Sequence, residues 1–351
     1  MSDPAPACRV LICEDSRTYA AGLSRLLRRD PEIDVVGVCS SAEEVISRLA
    51  YLEPRPDLVT MDLELPGMSG GDAIEQIMNV LPVPILVLSG SVESGSPRAL
   101  AALAAGALDA VPKDGFDLLD LDGTSAQAFR RRVKVLSGVR VIRHPRGGLN
   151  GHPPVAETPL GAASIIGIAA SAGGPQALAV VLAEVPGTFP IPILVVQHIA
   201  EGFATGFAQW LDSRVPLSVR VAEDGGRAAP GIWLAPDGAH LSLDGAFRLV
   251  LDTATDAGLH KPSADVLLRS LAAHAGRGAV AVVLTGMGRD GADGLREVRR
   301  AGGLSIAQDE ASSAIFGMPK AAAECGAELI LGAVAIGRRL GALRPVAPVP
   351  S

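Results

Sequence analysis

Aromatic side chains are scarce: phenylalanine, tyrosine and tryptophan make up 3% of the 351 residues, although 48% of the chain is hydrophobic. The cores must therefore be built from Ala, Val, Leu and Ile, as suits parallel sheets covered by helices. Cysteine is scarce too. Cys8, Cys13, Cys39 and Cys325 form no CxxC pair and three fall in the first forty residues, which argues against a disulfide framework or a zinc site and fits a reducing cytoplasm. No apolar run approaches the roughly 18 residues of a membrane span. Met1 to Pro6 lacks the basic and apolar regions of a secretory signal, so a soluble intracellular protein without membrane insertion is expected. Positive charge is missing where a nucleic-acid-binding output would need it. Residues 160 to 351 hold 15 Lys+Arg against 17 Asp+Glu, residues 126 to 159 hold 7 against 1, and residues 1 to 125 hold 9 against 20. Without a basic face or a helix-turn-helix in the second half, no nucleic-acid partner is expected.

What the chain does contain is short apolar runs alternating with amphipathic stretches. Val10-Leu11-Ile12-Cys13, Val35 to Val38, Leu58 to Met61, Ile85 to Leu88 and Ala107 to Val111 read as strands, separated by helical patterns at Arg17 to Arg29, Ala42 to Leu52, Gly71 to Val80 and Pro97 to Ala105. Five such βα units predict a flavodoxin-like domain ending near residue 125. Residues 126 to 159 begin with a basic helical stretch, Gln127 to Leu136, then dissolve into Pro, Gly and charge, the composition of a linker. A second βα series over residues 160 to 345 predicts another doubly wound α/β domain, followed by a Pro-rich tail at 346 to 351.

Side chains that follow parallel strands converge on one sheet edge, so residues distant in sequence can form one site. In the first domain this gathers Glu14, Asp15, Asp62, Ser89 and Lys113. Carboxylates after strands also serve as helix caps. The full set, however, suits Mg²⁺ held by Glu14, Asp15 and Asp62, with the Ser89 hydroxyl and the Lys113 ammonium left to hold the oxygens of a phosphoryl group. In the second domain the same logic gathers Ser171 of Ala170-Ser171-Ala172-Gly173-Gly174, His198 of Gln197-His198, and Asp290 of Thr285-Gly286-Met287-Gly288-Arg289-Asp290-Gly291. A serine at a strand-to-helix turn is a nucleophile only with a base beside it. A Gly-rich turn of this kind also cradles nucleotide phosphates, but GxGxxG is absent and the next strand ends in Gln197-His198 instead of a ribose-binding acid. Asp290 would equally serve as N-cap of a helix over 291 to 300. The order Ser, His, Asp matches no familiar hydrolase order, and Ala169 breaks the GxSxG elbow.

The first domain resembles the receiver domain of two-component response regulators, with Asp62 in Met61-Asp62-Leu63-Glu64-Leu65-Pro66-Gly67 at the phosphoacceptor position. The resemblance implies Mg²⁺ bound by Glu14, Asp15, Asp62 and the backbone carbonyl of Glu64, and phosphorylation of Asp62 by a histidine kinase. Lys113 is followed by Asp114 where receivers usually carry proline, and Ala110 stands at the aromatic switch position. Over nearly its whole length the chain looks like the chemotaxis protein-glutamate methylesterase (CheB) family. The stretches that carry the likeness are Ala170 to Pro175, Gln197-His198-Ile199, Ala235-Pro236-Asp237 with His240, His260 to Asp265, Leu284 to Gly291, and Ala307 to Ser312 with Phe316 to Pro319. That likeness implies Ser171 as nucleophile, His198 as base, Asp290 as orienting acid and the Met287 amide as oxyanion donor, with no cofactor in the catalytic domain. Ala172 stands where many relatives carry threonine. The implied substrates are glutamate γ-methyl esters, and glutamines, on methyl-accepting chemoreceptors, under control of receiver phosphorylation. The competing reading is a phosphorylation-dependent binding regulator whose second domain has lost catalysis.

Overall fold

The computed structural model describes residues 8–90, 97–139, 161–255 and 260–346. They divide into two compact units, Met1–Gly147 and Gly148–Ser351. The expected linker beyond residue 139 and the tail beyond residue 346 lie outside the described residues.

The first unit runs β1 (Cys8–Cys13), α1 (Arg17–Leu27), β2 (Ile33–Cys39), α2 (Ala42–Tyr51), β3 (Leu58–Asp62), α3 (Gly70–Val80), β4 (Ile85–Ser89), α4 (Pro97–Ala105), β5 (Asp109–Pro112) and α5 (Thr124–Ser137). Its five strands lie in the order β2-β1-β3-β4-β5, all parallel. This is the flavodoxin-like order, which leaves a crevice beyond the carboxyl ends of β1 and β3. Ser16, Ser41 and Ser69 cap α1, α2 and α3 through their hydroxyls, which is why each helix starts directly after a strand-end loop. The basic stretch read as the start of a linker forms most of α5. Its Phe129, Val133 and Leu136 are buried, and it packs on β1, β3 and β4, so the folded body continues past residue 125.

The second unit contains β6 (Ala162–Ala163), β7 (Ile165–Ala170), α6 (Gly174–Ala183), β8 (Ile193–Gln197), α7 (Ala204–Asp212), β9 (Val219–Val221), β10 (Ile232–Leu234), β11 (His240–Leu243) and β12 (Leu249–Asp252). It continues through α8 (Ala264–Ala275), β13 (Ala279–Val283), α9 (Ala292–Arg300), β14 (Leu304–Gln308), α10 (Met318–Glu324), β15 (Leu329–Leu331), α11 (Ala333–Gly341) and β16 (Arg344–Pro345). Seven strands form a parallel sheet in the order β15-β14-β13-β7-β8-β10-β9. From the central β7 the chain runs to β8, then to the edge strand β9 and back to β10, before crossing to β13, β14 and β15 on the other side, so the order reverses between β7 and β13. Ligand sites in open α/β sheets form at such a switch point. On one face of the sheet α8 and α9 cover β7 and β13 in a core of Leu267, Leu268, Leu271, Val283, Leu295 and Val298, all fully buried. Gly167 permits the close approach of α8: a Cβ there would stand 2.6 Å from Leu271 Cδ1 and 2.7 Å from Leu268 Cδ2. That approach brings the start of α8 to the edge where the candidate catalytic residues lie. Among the described residues no helix is long and apolar enough to cross a membrane.

Candidate active site and phosphoacceptor site

Ser171 follows β7 at the entrance to α6. The turn is left-handed at Gly173 (φ +73°), where a Cβ would also stand 2.6 Å from that of Ala314, so glycine is required twice over. The Ser171 N–H donates to Thr285 O at 3.0 Å, and its carbonyl accepts from Gly174 N–H at 2.7 Å. Gly286, on the neighbouring loop after β13, approaches so closely that a Cβ there would stand 2.7 Å from Ser171 Cβ. That loop is fastened in turn: Gly286 N–H donates to Ile315 O at 3.1 Å and Met318 N–H to Gly286 O at 2.9 Å. Thr285 Oγ1 donates to Ala172 O at 3.1 Å, joining the two loops by a side chain.

His198 follows β8, and its N–H donates to Ala170 O at 2.9 Å, one residue before Ser171. Its Nε2 lies 2.8 Å from Asp290 Oδ2. The pair is nearly out of solvent, with side chains 8% and 11% exposed. Asp290 does not cap its own helix, whose start is capped by Asp265 Oδ1 accepting from Gly291 N–H at 3.0 Å and Gly294 N–H at 2.7 Å. It sits instead at the N-terminus of α8. There Oδ2 accepts from Ala264 N–H at 2.7 Å, and Oδ1 accepts from Asp265 N–H and from the Ser263 hydroxyl, both at 3.0 Å. Burial alone would push the Asp290 carboxyl upward. The hydrogen bond and charge of His198, with the backbone N–H groups of α8, outweigh it and hold the group well below the usual carboxylate range. An ionised carboxylate only accepts, so the Nε2 of His198 carries the proton and its Nδ1 is the basic nitrogen. Nδ1 is buried and has no hydrogen-bond partner. The ring is thus turned the opposite way from the usual serine-protease histidine, whose Nδ1 faces the acid. The His260 ring stacks on it with centroids 4.2 Å apart and planes 14° from parallel.

The cradle around Asp290 is not legible in the sequence. Ser263 three residues before Val266 reads as a helix N-cap, but nothing local to Ser263 or Asp265 points to a carboxylate 25 or more residues away.

At the receiver edge, Glu14, Asp15 and Asp62 each present a carboxylate oxygen within 4.8 Å of the others. Glu14 and Asp62 are buried and Asp15 is exposed at the rim. Lys113 reaches between the two buried acids, its Nζ 2.7 Å from Glu14 Oε2 and 2.8 Å from Asp62 Oδ2. Burial would lower the Lys113 ammonium, but its bonds to Asp62 and Glu14 prevail and raise it. Burial raises the Glu14 carboxyl, against the pull of Lys113. Tyr19, which the sequence reading did not single out, lies under Lys113 with the ammonium 4.6 Å from its ring centroid. Ser89 ends β4 with its carbonyl accepting from Lys113 N–H at 2.8 Å. Glu64 is exposed, and its N–H donates to Asp62 Oδ1 at 3.1 Å. One ammonium offsets three carboxylates only in part, and an all-oxygen donor set with surplus negative charge fits a hard divalent cation.

An acidic receiver-type site on one unit and a buried histidine–carboxylate pair beside a serine turn on the other define a response regulator whose output is an enzyme. Similarity to known proteins carries that class to a family. The CheB methylesterase family matches residues 166–340, and the response regulator receiver domain matches residues 10–121. The chain is 43% identical over 337 residues to protein-glutamate methylesterase/protein-glutamine glutaminase 3 of Anaeromyxobacter dehalogenans, covering 95% of this chain and 98% of that protein. It is 42% identical over 319 residues to protein-glutamate methylesterase/protein-glutamine glutaminase 4 of Myxococcus xanthus, covering 89% of each. The solved CheB methylesterase catalytic domain of Thermotoga maritima is similar at a TM-score of 0.50 and 38% identity, covering 51% of this chain and 97% of that one. The chain belongs to the CheB family of chemotaxis protein-glutamate methylesterases, and the expected receiver and methylesterase regions are both present.

Proposed function

We propose that the second unit hydrolyses glutamate γ-methyl esters on methyl-accepting chemoreceptors through Ser171, His198 and Asp290. The observation that carries this reading is the buried His198 ring, fixed at Nε2 by an ionised Asp290 and left with an unpartnered Nδ1. The Ser171 hydroxyl does not reach Nδ1 in this structure; turned onto it, the hydroxyl gives Nδ1 its proton as Oγ attacks the ester carbonyl carbon. The negative charge moves to the carbonyl oxygen, for which the Met287 amide and the N-terminus of α6 are the donors. Collapse breaks the bond to the methoxy oxygen, which leaves as methanol with the proton from His198. Water then attacks the acyl-serine, giving its proton to His198, and the glutamate carboxylate departs as Oγ is reprotonated. With a glutamine side chain the same sequence releases ammonia. Asp290 keeps the imidazolium of each step stable without itself accepting a proton.

In the receiver, Asp62 is the phosphoacceptor, and Ser89 and Lys113 hold phosphoryl oxygens. Glu14, Asp15, Asp62 and the carbonyl of Glu64 would hold Mg²⁺, which supplies charge neutralisation for the transferring phosphoryl group. The phosphodonor is a chemotaxis histidine kinase, the reaction takes place in the cytoplasm, and phosphorylation raises the esterase rate to give adaptation. The deciding experiment is Ser171→Ala with methyl-labelled receptor. Methanol release falls about 10³-fold or more if the triad operates, and unchanged release removes the serine-hydrolase reading.

A further inference from the structure

Gln197 is the residue before the proposed base, and it is 4% exposed at the end of β8. Its side-chain Nε2 donates to two carbonyls at once, Ser171 O at 2.8 Å and His198 O at 2.8 Å. The orientation of the amide is fixed by this pair, because the flipped form would aim its oxygen at two acceptors in a buried site. The other end of the amide is packed against the start of α6, where a side chain on Gly174 would run into Gln197 Oε1. Only glycine at 174 therefore leaves room for the amide beneath the serine turn.

We infer that Gln197 is a positioning residue that ties the carbonyl of Ser171 to the carbonyl of His198, fixing the separation of the two loops that carry hydroxyl and imidazole. Backbone pairing already joins β7 to β8, with Ala170 opposite Gln197 and the His198 N–H on Ala170 O. Ser171 and His198 are the first residues beyond the two strands, and of the two only the His198 N–H takes part in that pairing. The Gln197 amide extends the connection by one residue on each strand. The residue is buried and both N–H groups of its amide are committed to the two carbonyls, so it has no donor left for the ester. Removing it leaves the His198 N–H on Ala170 O as the link between the two loops at this point, and a displacement of about 1 Å in a reacting pair costs on the order of 10²-fold in rate.

The inference rests on the proposed Ser171–His198–Asp290 triad, and the test separates the two. Gln197→Met keeps the length of the side chain and removes both donors. With methyl-labelled receptor, kcat falls about 10- to 100-fold while KM stays within about twofold, as expected of a group that touches no substrate. The Tm followed by tryptophan fluorescence separates this loss from unfolding. Ser171→Ala is run beside it. Full activity of Ser171→Ala overturns the triad reading. An inactive Ser171→Ala with wild-type kcat in Gln197→Met overturns the clamp alone, as does a rise in KM with kcat unchanged. Should Gln197→Met not fold, the wild-type protein still decides the matter by ¹⁵N-resolved hydrogen exchange. The Gln197 side-chain amide protons exchange at least about 100-fold more slowly than those of exposed glutamines if they are held by two buried carbonyls. Exchange at the exposed rate overturns the inference.

Discussion

Asp290→Asn tests the electrostatics of the site more sharply than removal of the whole side chain. The carboxylate accepts four hydrogen bonds, from His198 Nε2 and Ala264 N–H on Oδ2 and from the Ser263 hydroxyl and Asp265 N–H on Oδ1. An asparagine amide has one oxygen and one NH₂ group. With NH₂ at the Oδ2 position it would face Ala264 N–H and force the His198 proton onto Nδ1, destroying the base. With NH₂ at the Oδ1 position, Ser263 can rotate to accept, His198 keeps its proton on Nε2, and only Asp265 N–H loses its partner. The second arrangement wins. It leaves one buried donor unsatisfied, at a cost of about 1–3 kcal/mol. The lost charge no longer supports the imidazolium, so kcat on methylated receptor falls about 10³-fold, short of the roughly 10⁴-fold that a wrong tautomer costs in serine proteases. The His198 ring nitrogens in a ¹⁵N spectrum report the tautomer directly. Both tryptophans, Trp210 and Trp233, belong to the second unit, so their fluorescence in urea reports its stability alone. A folded-state pKa held below the unfolded value stabilises the fold above about pH 4, and that contribution is lost as pH falls below it. The urea midpoint of the wild type therefore drops as pH falls from about 4 toward about 2 more steeply than that of Asp290→Asn. A variant within tenfold of wild-type activity, or one with the same pH slope, refutes the assignment of Asp290 as the charged partner of His198.

The receiver and the serine turn give further expectations. Asp62→Asn keeps basal methanol release but loses stimulation by acetyl phosphate and Mg²⁺, and stimulation equal to wild type removes Asp62 as phosphoacceptor. Gly173→Ala places a Cβ on left-handed backbone and 2.6 Å from Ala314 Cβ, so the tryptophan-monitored Tm falls by about 5 °C and the esterase rate falls with it. An unchanged Tm shows that the turn relaxes without cost.

Sequence alone determined the two α/β units, because buried parallel strands read as Val/Ile/Leu runs and their carboxyl ends share one edge. It therefore placed Ser171, His198 and Asp290 on neighbouring loops and Glu14, Asp62 and Lys113 on another set, without a single contact being known. The helical stretch Gln127 to Leu136 was legible as a helix, but its attachment to the receiver sheet was not, because the apolar face of Phe129, Val133 and Leu136 is interleaved with basic residues whose partners lie far away in sequence: buried Arg130 donates to Leu26 O, Arg132 pairs with Asp109 and Lys134 with Asp30. Tertiary structure decided the orientations. Which nitrogen of His198 faces Asp290, that Asp290 rests on the start of α8 and not on its own helix, and that one amide of Gln197 holds two loops are through-space facts set by rotamers and by the close approach at Gly167. Side-chain periodicity records which face of an element is buried; it carries no record of the partner that arrives there from elsewhere in the chain.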